Sequence, residues 1–281
     1  MRVKIAPEYT ADYLEVERPQ PLSDNFLEQQ IQHVLNGKLK VDPDTVYTDF
    51  KQEMSRWLFS SKLNNLTGFD SFNRVDIING CTQFIDNLYM QGPVQVIRGD
   101  YKYHERLKLA YFRDVGELIR DIPLIIAMPF PQIGSSHPDM EEILNEAKNK
   151  NIDVHVDGAW VTCCRGVVFD FSHPSIKSVG ISLSKGLGLG WNRIGLRWTK
   201  DSKADSISIM NDFNMNLRAP AMIGLHFIRT VLPDYLWNEH KDRYDKVCRD
   251  FNLTPTNSIY LALRDECPVG VSPLIRYLEN E

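Results

Sequence analysis

From Leu27 onward the apolar residues recur at helical spacing. Leu27, Ile31, Val34 and Leu35 share one face, which predicts a helix that Ser23 caps and Gly37 stops. Phe50, Met54, Trp57 and Leu58 repeat the pattern in a second helix. From about Val75 the texture changes to short apolar runs alternating with helical stretches. "VDII" (75–78) reads as a strand, "TQFIDNLYM" as a helix, and "VQVI" (94–97) and "LIIAM" (124–128) as strands. A further helix starts near Ser136 and Pro138, with Met140, Ile143, Leu144 and Ala147 on one face. "DVHV" (153–156), "VGISLS" (179–184) and "RIGLRW" (193–198) continue the strand series. Strands without a polar face, separated by helices, belong in a mostly parallel sheet covered on both sides. After Trp198 the spacing is helical over about 204–213, 219–232 and 234–251, and "SIYLAL" (258–263) reads as a late strand. The opening residues to Pro21, rich in Pro and Glu, read as an extended surface arm.

Composition narrows the partners. The 281 residues carry a net charge of −5, with 43% hydrophobic and 25% charged residues, which is ordinary for a globular protein. That balance argues against nucleic acid or an anionic membrane as the main partner. The N-terminus has no apolar core of a signal peptide, and "IPLIIAMPF" is too short to span a bilayer. Five cysteines form no CxxC and no paired framework, so the expectation is a reduced, cytoplasmic protein. The seven histidines are scattered, no metal is expected, and His155 reads as a core strand histidine.

Three predicted strand ends carry chemistry. "SLSKGLGLGWNRIG" (182–195) has one lysine ahead of its glycines, which rules out a P-loop, whose lysine follows them. Alone it reads as a glycine-rich hairpin. "VHVDGAW" (154–160) sets Asp157 at the carboxyl end of a strand, where open α/β sheets bind ligands. "IINGCTQF" (77–84) leads from a strand into a helix N-terminus, where free N–H groups and the helix dipole suit a phosphate, although an ordinary cap by Thr82 would look the same. An amine, a carboxylate and a phosphate cradle together are what pyridoxal phosphate requires.

In this order, the blocks "NGCT", "DGAW" and Ser182-x-x-Lys185 with Arg193 and Gly195 resemble the fold-type I pyridoxal-phosphate enzymes, the aspartate aminotransferase superfamily. The resemblance implies a three-layer α/β sandwich with a mostly parallel central sheet, plus a small α/β lobe from the two chain ends. It divides the chain into an arm and helix (1–45), a cofactor-binding large domain (46–200), and a helical continuation with an abbreviated lobe (201–281). It further implies that Lys185 carries the cofactor as a Schiff base and then moves protons. Asp157 would pair with the pyridinium nitrogen. Arg193, Ser182, Gly80, Cys81 and Thr82 would hold the phosphate, and Tyr101 would stack on the ring. Tyr47 would reach the neighbouring subunit's phosphate in a homodimer, and Arg276 would grip a substrate carboxylate.

Two positions depart from the family pattern. Trp160 stands where a tyrosine usually donates to the ring hydroxyl, and Pro131 stands in place of the asparagine that does the same. Gln132 is a candidate replacement donor. The expected activity is transamination between an amino donor and a keto acceptor. The alternatives are another pyridoxal-phosphate reaction on an amino acid, such as decarboxylation, elimination or carbon–carbon bond formation, or a binder without turnover.

Overall fold

In the computed structural model, which describes residues 12–13, 22, 24–37, 41–200 and 203–279, the chain opens with strand β1 (Asp12–Tyr13) and helices α1 (Asn25–Leu35) and α2 (Val46–Phe59). Strands β2 (Asn65–Thr67) and β3 (Arg74–Ile78) precede α3 (Cys81–Gln91), β4 (Gln95–Ile97), α4 (Lys102–Leu107) and β5 (Tyr111–Arg113). Next come β6 (Leu124–Ala127), α5 (Met140–Asn149), β7 (Val154–Asp157), β8 (Val168–Asp170), β9 (Ile176–Ser182) and β10 (Gly195–Thr199). Helices α6 (Ser206–Asp212), α7 (Arg218–Thr230) and α8 (Tyr235–Asp250) lead to β11 (Thr254–Pro255), β12 (Leu261–Arg264), β13 (Cys267–Gly270) and α9 (Ser272–Glu279).

Seven strands form the central sheet in the order β3–β10–β9–β7–β6–β4–β5. All neighbouring pairs are parallel except those of β10, which runs antiparallel to both β3 and β9. The apolar runs are buried on both sides because alternate residues enter different cores. Ile77, Leu124, Ile126, Val154 and Val156 pack with α2, α5, α7 and α8, whereas Ile78, Val96 and Ile125 pack with Phe84, Ile85 and Leu88 of α3 and Ile207 of α6. The result is a three-layer sandwich. Each such side chain taken from water contributes about 1.5–3 kcal/mol, so a polar residue on either face of these strands would be costly.

A second, four-stranded sheet (β1–β13–β12–β11) joins the two chain ends, with β1 parallel to β13. The short strands β2 and β8 pair separately.

Several local expectations shift. Helix α1 is capped by Asp24, whose carboxylate accepts from the Leu27 N–H at 2.8 Å; Ser23 lies outside the described residues, as does most of the opening arm. Asp24 also accepts from Tyr235 Oη (2.7 Å) and His240 Nε2 (2.9 Å), which ties α1 to α8. Helix α5 starts at Met140, beyond Ser136 and Pro138. The late strand begins only at Leu261, because Ser258–Tyr260 form a turn that serves the site below. His155 is half-buried on β7 with Nδ1 2.7 Å from Ser178 Oγ.

Candidate functional site

The glycine-rich stretch is the tip of a hairpin. Ser182 and Gly195 are partners across β9 and β10, and the Leu183 N–H donates to the Ile194 carbonyl at 3.1 Å. Lys185 and Arg193 therefore leave the sheet from one point and diverge over neighbouring strand ends. Gly186 has no room for a side chain, since a Cβ there would stand 2.2 Å from Thr162. That close approach seats Lys185 against the turn that follows β7. Its Nζ lies 5.0 Å from the Trp160 ring centroid and 5.3 Å from that of Tyr101, cation–π contacts on two rings. The Lys185 carbonyl accepts a short hydrogen bond from the Tyr260 hydroxyl, and the Tyr260 ring meets Trp160 edge to face.

Asp157 ends β7, whose register pairs it with Gly180 of β9 and Ala127 of β6. Its carboxylate is 2% exposed and accepts from the Ala159 N–H at 3.0 Å. Burial pushes this carboxyl above the ordinary range, and the Lys185 ammonium and the nearby Arg193 oppose that shift. A cation placed against Asp157 would be strongly held. Cys81 is turned the same way: its Sγ donates to the Gly180 carbonyl at 3.3 Å and is within hydrogen-bonding reach of Asp157 and Ser182. Burial, with Asp157 beside it, raises the thiol well above its ordinary value, so it stays a donor. The Cys81 side chain is thus turned inward toward Gly180 and Asp157, while its backbone stands in the first turn of α3.

The N-terminus of α3 forms the third element. The helix cap is Gly80 with φ of 77°, and Thr82 is left to serve elsewhere. Arg193 crosses directly over this turn; its Nη2 would be 2.7 Å from a Cβ on Gly80, and it donates to Thr82 Oγ1 at 2.8 Å. Only a residue without a side chain that also tolerates positive φ lets the guanidinium approach so closely. A guanidinium, a hydroxyl and a helix N-terminus facing one point make an anion site. An open pocket of about 460 Å³ adjoins it, lined by Asn79, Thr82, Gln83, Arg193 and Ser206 among others.

These residues fit pyridoxal phosphate. Besides the amine, carboxylate and anion cradle, the site keeps buried polar atoms without hydrogen-bond partners among the described residues: Asn79 Oδ1, Thr162 Oγ1 and Ser184 Oγ. Such orphans are rare in a finished core and suit a place that receives a polar ligand.

The remaining expected residues lie as follows. Ser182 is buried at the end of β9. Tyr47, on α2, donates from its hydroxyl to the Asn216 carbonyl at 2.5 Å within the same chain. Arg276, on α9, lies 3.9 Å from Glu28 of α1, and none of the contacts described joins it to Lys185. Pro131 and Gln132 are buried, and Gln132 Nε2 donates to the Gly99 carbonyl at 2.9 Å, which braces the turn before Tyr101. Two residues near the site escaped the reading of the sequence. Tyr260 sits in a strand-like run with no signal for its role, and Asp100 is an unremarkable acid after a glycine. Among the described residues no three metal-ligating side chains converge, and no helix is long and apolar enough to cross a membrane.

The sequence matches no protein-family model and no curated protein. Its structure does resemble solved ones. The aspartate aminotransferase of Thermotoga maritima aligns with a TM-score of 0.62 at 14% identity, over 90% of this chain and 76% of that one. The alanine aminotransferase of Pyrococcus furiosus aligns with a TM-score of 0.58 at 14% identity, over 90% and 76%. The histidinol-phosphate aminotransferase of Clostridium acetobutylicum gives 0.53 at 13%, over 88% and 80%. At such identities the likeness establishes the fold.

Proposed function

We propose that this chain, which has the fold of the aspartate aminotransferase superfamily, is a pyridoxal-phosphate-dependent aminotransferase acting on an amino acid or related amino compound. The observation that carries the reading is the convergence of Lys185 Nζ, between the Tyr101 and Trp160 rings, with buried Asp157 and the Arg193–Thr82 cradle.

When bound, pyridoxal phosphate supplies an aldehyde that condenses with amines and a ring that accepts the electron pair left by a departing α-proton. Lys185 Nζ would hold the cofactor and, as a free amine, would serve as the base that accepts and redelivers the substrate's α-proton. Asp157 would keep the pyridine nitrogen protonated, and a positive charge there would offset the cost of burying the carboxylate. Arg193, Thr82, Ser182 and the Gly80–Thr82 backbone would bind the phosphate. Tyr101 and Trp160 flank the amine and would orient the ring.

The reading includes a homodimer with Tyr47 reaching the neighbouring phosphate site, Arg276 as the candidate for a substrate carboxylate, a cytoplasmic location, and the partition into 1–45, 46–200 and 201–281. A second reading, another reaction on an amino acid, is favoured by two features: Pro131 has no side-chain donor, and Trp160 presents its ring face to Lys185 Nζ.

The test is direct. The purified protein should be yellow with cofactor, and borohydride should fix that cofactor to Lys185, as read by peptide mass spectrometry. Amino acids offered singly should then convert the cofactor to pyridoxamine phosphate with release of the keto acid. Carbon dioxide or ammonia without that conversion supports the second reading, and a colourless protein that takes up no cofactor rejects both.

A further inference from the structure

Three strand ends stand side by side at the site. Asp100 follows β4, Ala127 ends β6 and Asp157 ends β7, with Ala127 and Asp157 direct partners. Asp100 is 3% exposed and links them: its Oδ1 accepts from the Tyr101 N–H at 2.5 Å and its Oδ2 from the Ala127 N–H at 2.9 Å. Both carboxylate oxygens are thus committed to the backbone of the residue whose ring faces Lys185 and of the residue beside Asp157. The same turn is braced by Gln132 on the Gly99 carbonyl and by the His104 N–H on the Tyr101 carbonyl at 3.0 Å.

We propose that Asp100 is a positioning residue: as a carboxylate it fixes the Tyr101 ring against the Lys185 amine, and on protonation it releases that hold. The proposal rests on the cofactor reading above for its functional meaning. The device needs an acid that can use two acceptors at once, because Tyr101 and Ala127 present two donors. A neutral carboxyl keeps only one good acceptor there and turns its own O–H toward an N–H. An asparagine would do the same permanently.

The surroundings make this acid titrate where it matters. The titratable groups facing it are Asp157 from β7 and the Tyr89 hydroxyl from α3; Tyr89 in turn bonds His104 Nδ1 at 2.8 Å. Burial pushes His104 down to about 4, so it stays neutral. Burial pushes Asp100 up to about 7, and the like charge of Asp157 adds to the shift while the Ala127 and Tyr101 N–H groups oppose it. A cationic group held against Asp157 would offset its like charge, favour the ionised form of Asp100 and so tighten Tyr101. Cofactor and hold would reinforce one another.

Two measurements test this. In cofactor-free wild-type protein, the backbone amide resonances of Tyr101 and Ala127 should move together between pH 5.5 and 8.5 with a midpoint near neutrality, and should be fixed in Asp100→Asn. In the second, pyridoxal phosphate affinity is followed by tryptophan quenching over the same range. The wild type should gain about tenfold relative to Asp100→Asn as pH rises, the lower end of what a charge-assisted hydrogen bond contributes. Amide resonances that do not titrate in the wild type, or an affinity profile identical in the two proteins, overturn the proposal. Failure of both proteins to bind pyridoxal phosphate would instead reject the cofactor reading, and the amide titration would still decide the role of Asp100.

Discussion

Ser182 and Gly195 face one another across the antiparallel pair β9–β10, and that single pairing gives Lys185 and Arg193 a common origin. Twelve residues close the hairpin between the two strands, among them Lys185 and Arg193. Arg193 is then carried over the N-terminus of α3 while Lys185 is laid between two aromatic rings.

Removing the guanidinium separates anchoring from chemistry. Arg193→Ala should weaken pyridoxal phosphate binding about 10- to 100-fold through lost charge-assisted hydrogen bonds, while Lys185 keeps its reactivity toward pyridoxal, which lacks the phosphate. Equilibrium titration with each aldehyde checks this, and equal weakening for both would contradict the assigned role.

The hairpin has a steric requirement at one position. Gly186→Ala places a methyl group 2.2 Å from Thr162, and the contact includes Thr162 backbone at 2.7 Å, so the loop must shift. Overpacking of this kind costs about 1–3 kcal/mol, which calorimetry would record as a lower melting temperature. Displacement of Lys185 should also slow borohydride-trapped incorporation of the cofactor.

Tyr260 links the C-terminal segment to the site. Burial raises its hydroxyl well above the ordinary value, so it remains a donor to the Lys185 carbonyl while accepting from the Leu22 N–H at 3.3 Å. Tyr260→Phe leaves that carbonyl unsatisfied and should cost about 1–3 kcal/mol in urea unfolding. An unchanged midpoint would show that the carbonyl finds another partner.

Asp100 also marks the pH dependence of folding. In the unfolded chain its carboxyl ionises near 4, whereas burial holds it near 7 in the folded one. Its favourable contribution is complete below about pH 4 and is lost as pH rises through about 7. Wild-type protein should therefore lose melting temperature relative to Asp100→Asn between pH 5 and pH 8. Scanning calorimetry of the two proteins at both values gives the comparison, and a constant difference would refute it.

The alternation of apolar runs by itself determined the layered α/β fold, because strands buried on both faces cannot carry a polar side. The acid at the end of "VHVD" and the helix start after "NG" were legible locally, whereas the pairing of Lys185 with Arg193 was drawn from the family resemblance. Other features were decided only by the tertiary structure. No periodicity reveals that β10 turns back between β9 and β3, nor that Tyr260 returns 75 residues later to the Lys185 carbonyl. The thiol of Cys81 faces Asp157 for the same reason that Asp100 lies near it: strand order, not sequence neighbourhood, decides which ends adjoin. Local patterns report which face of an element is buried. The identity of what lies against that face depends on long-range packing.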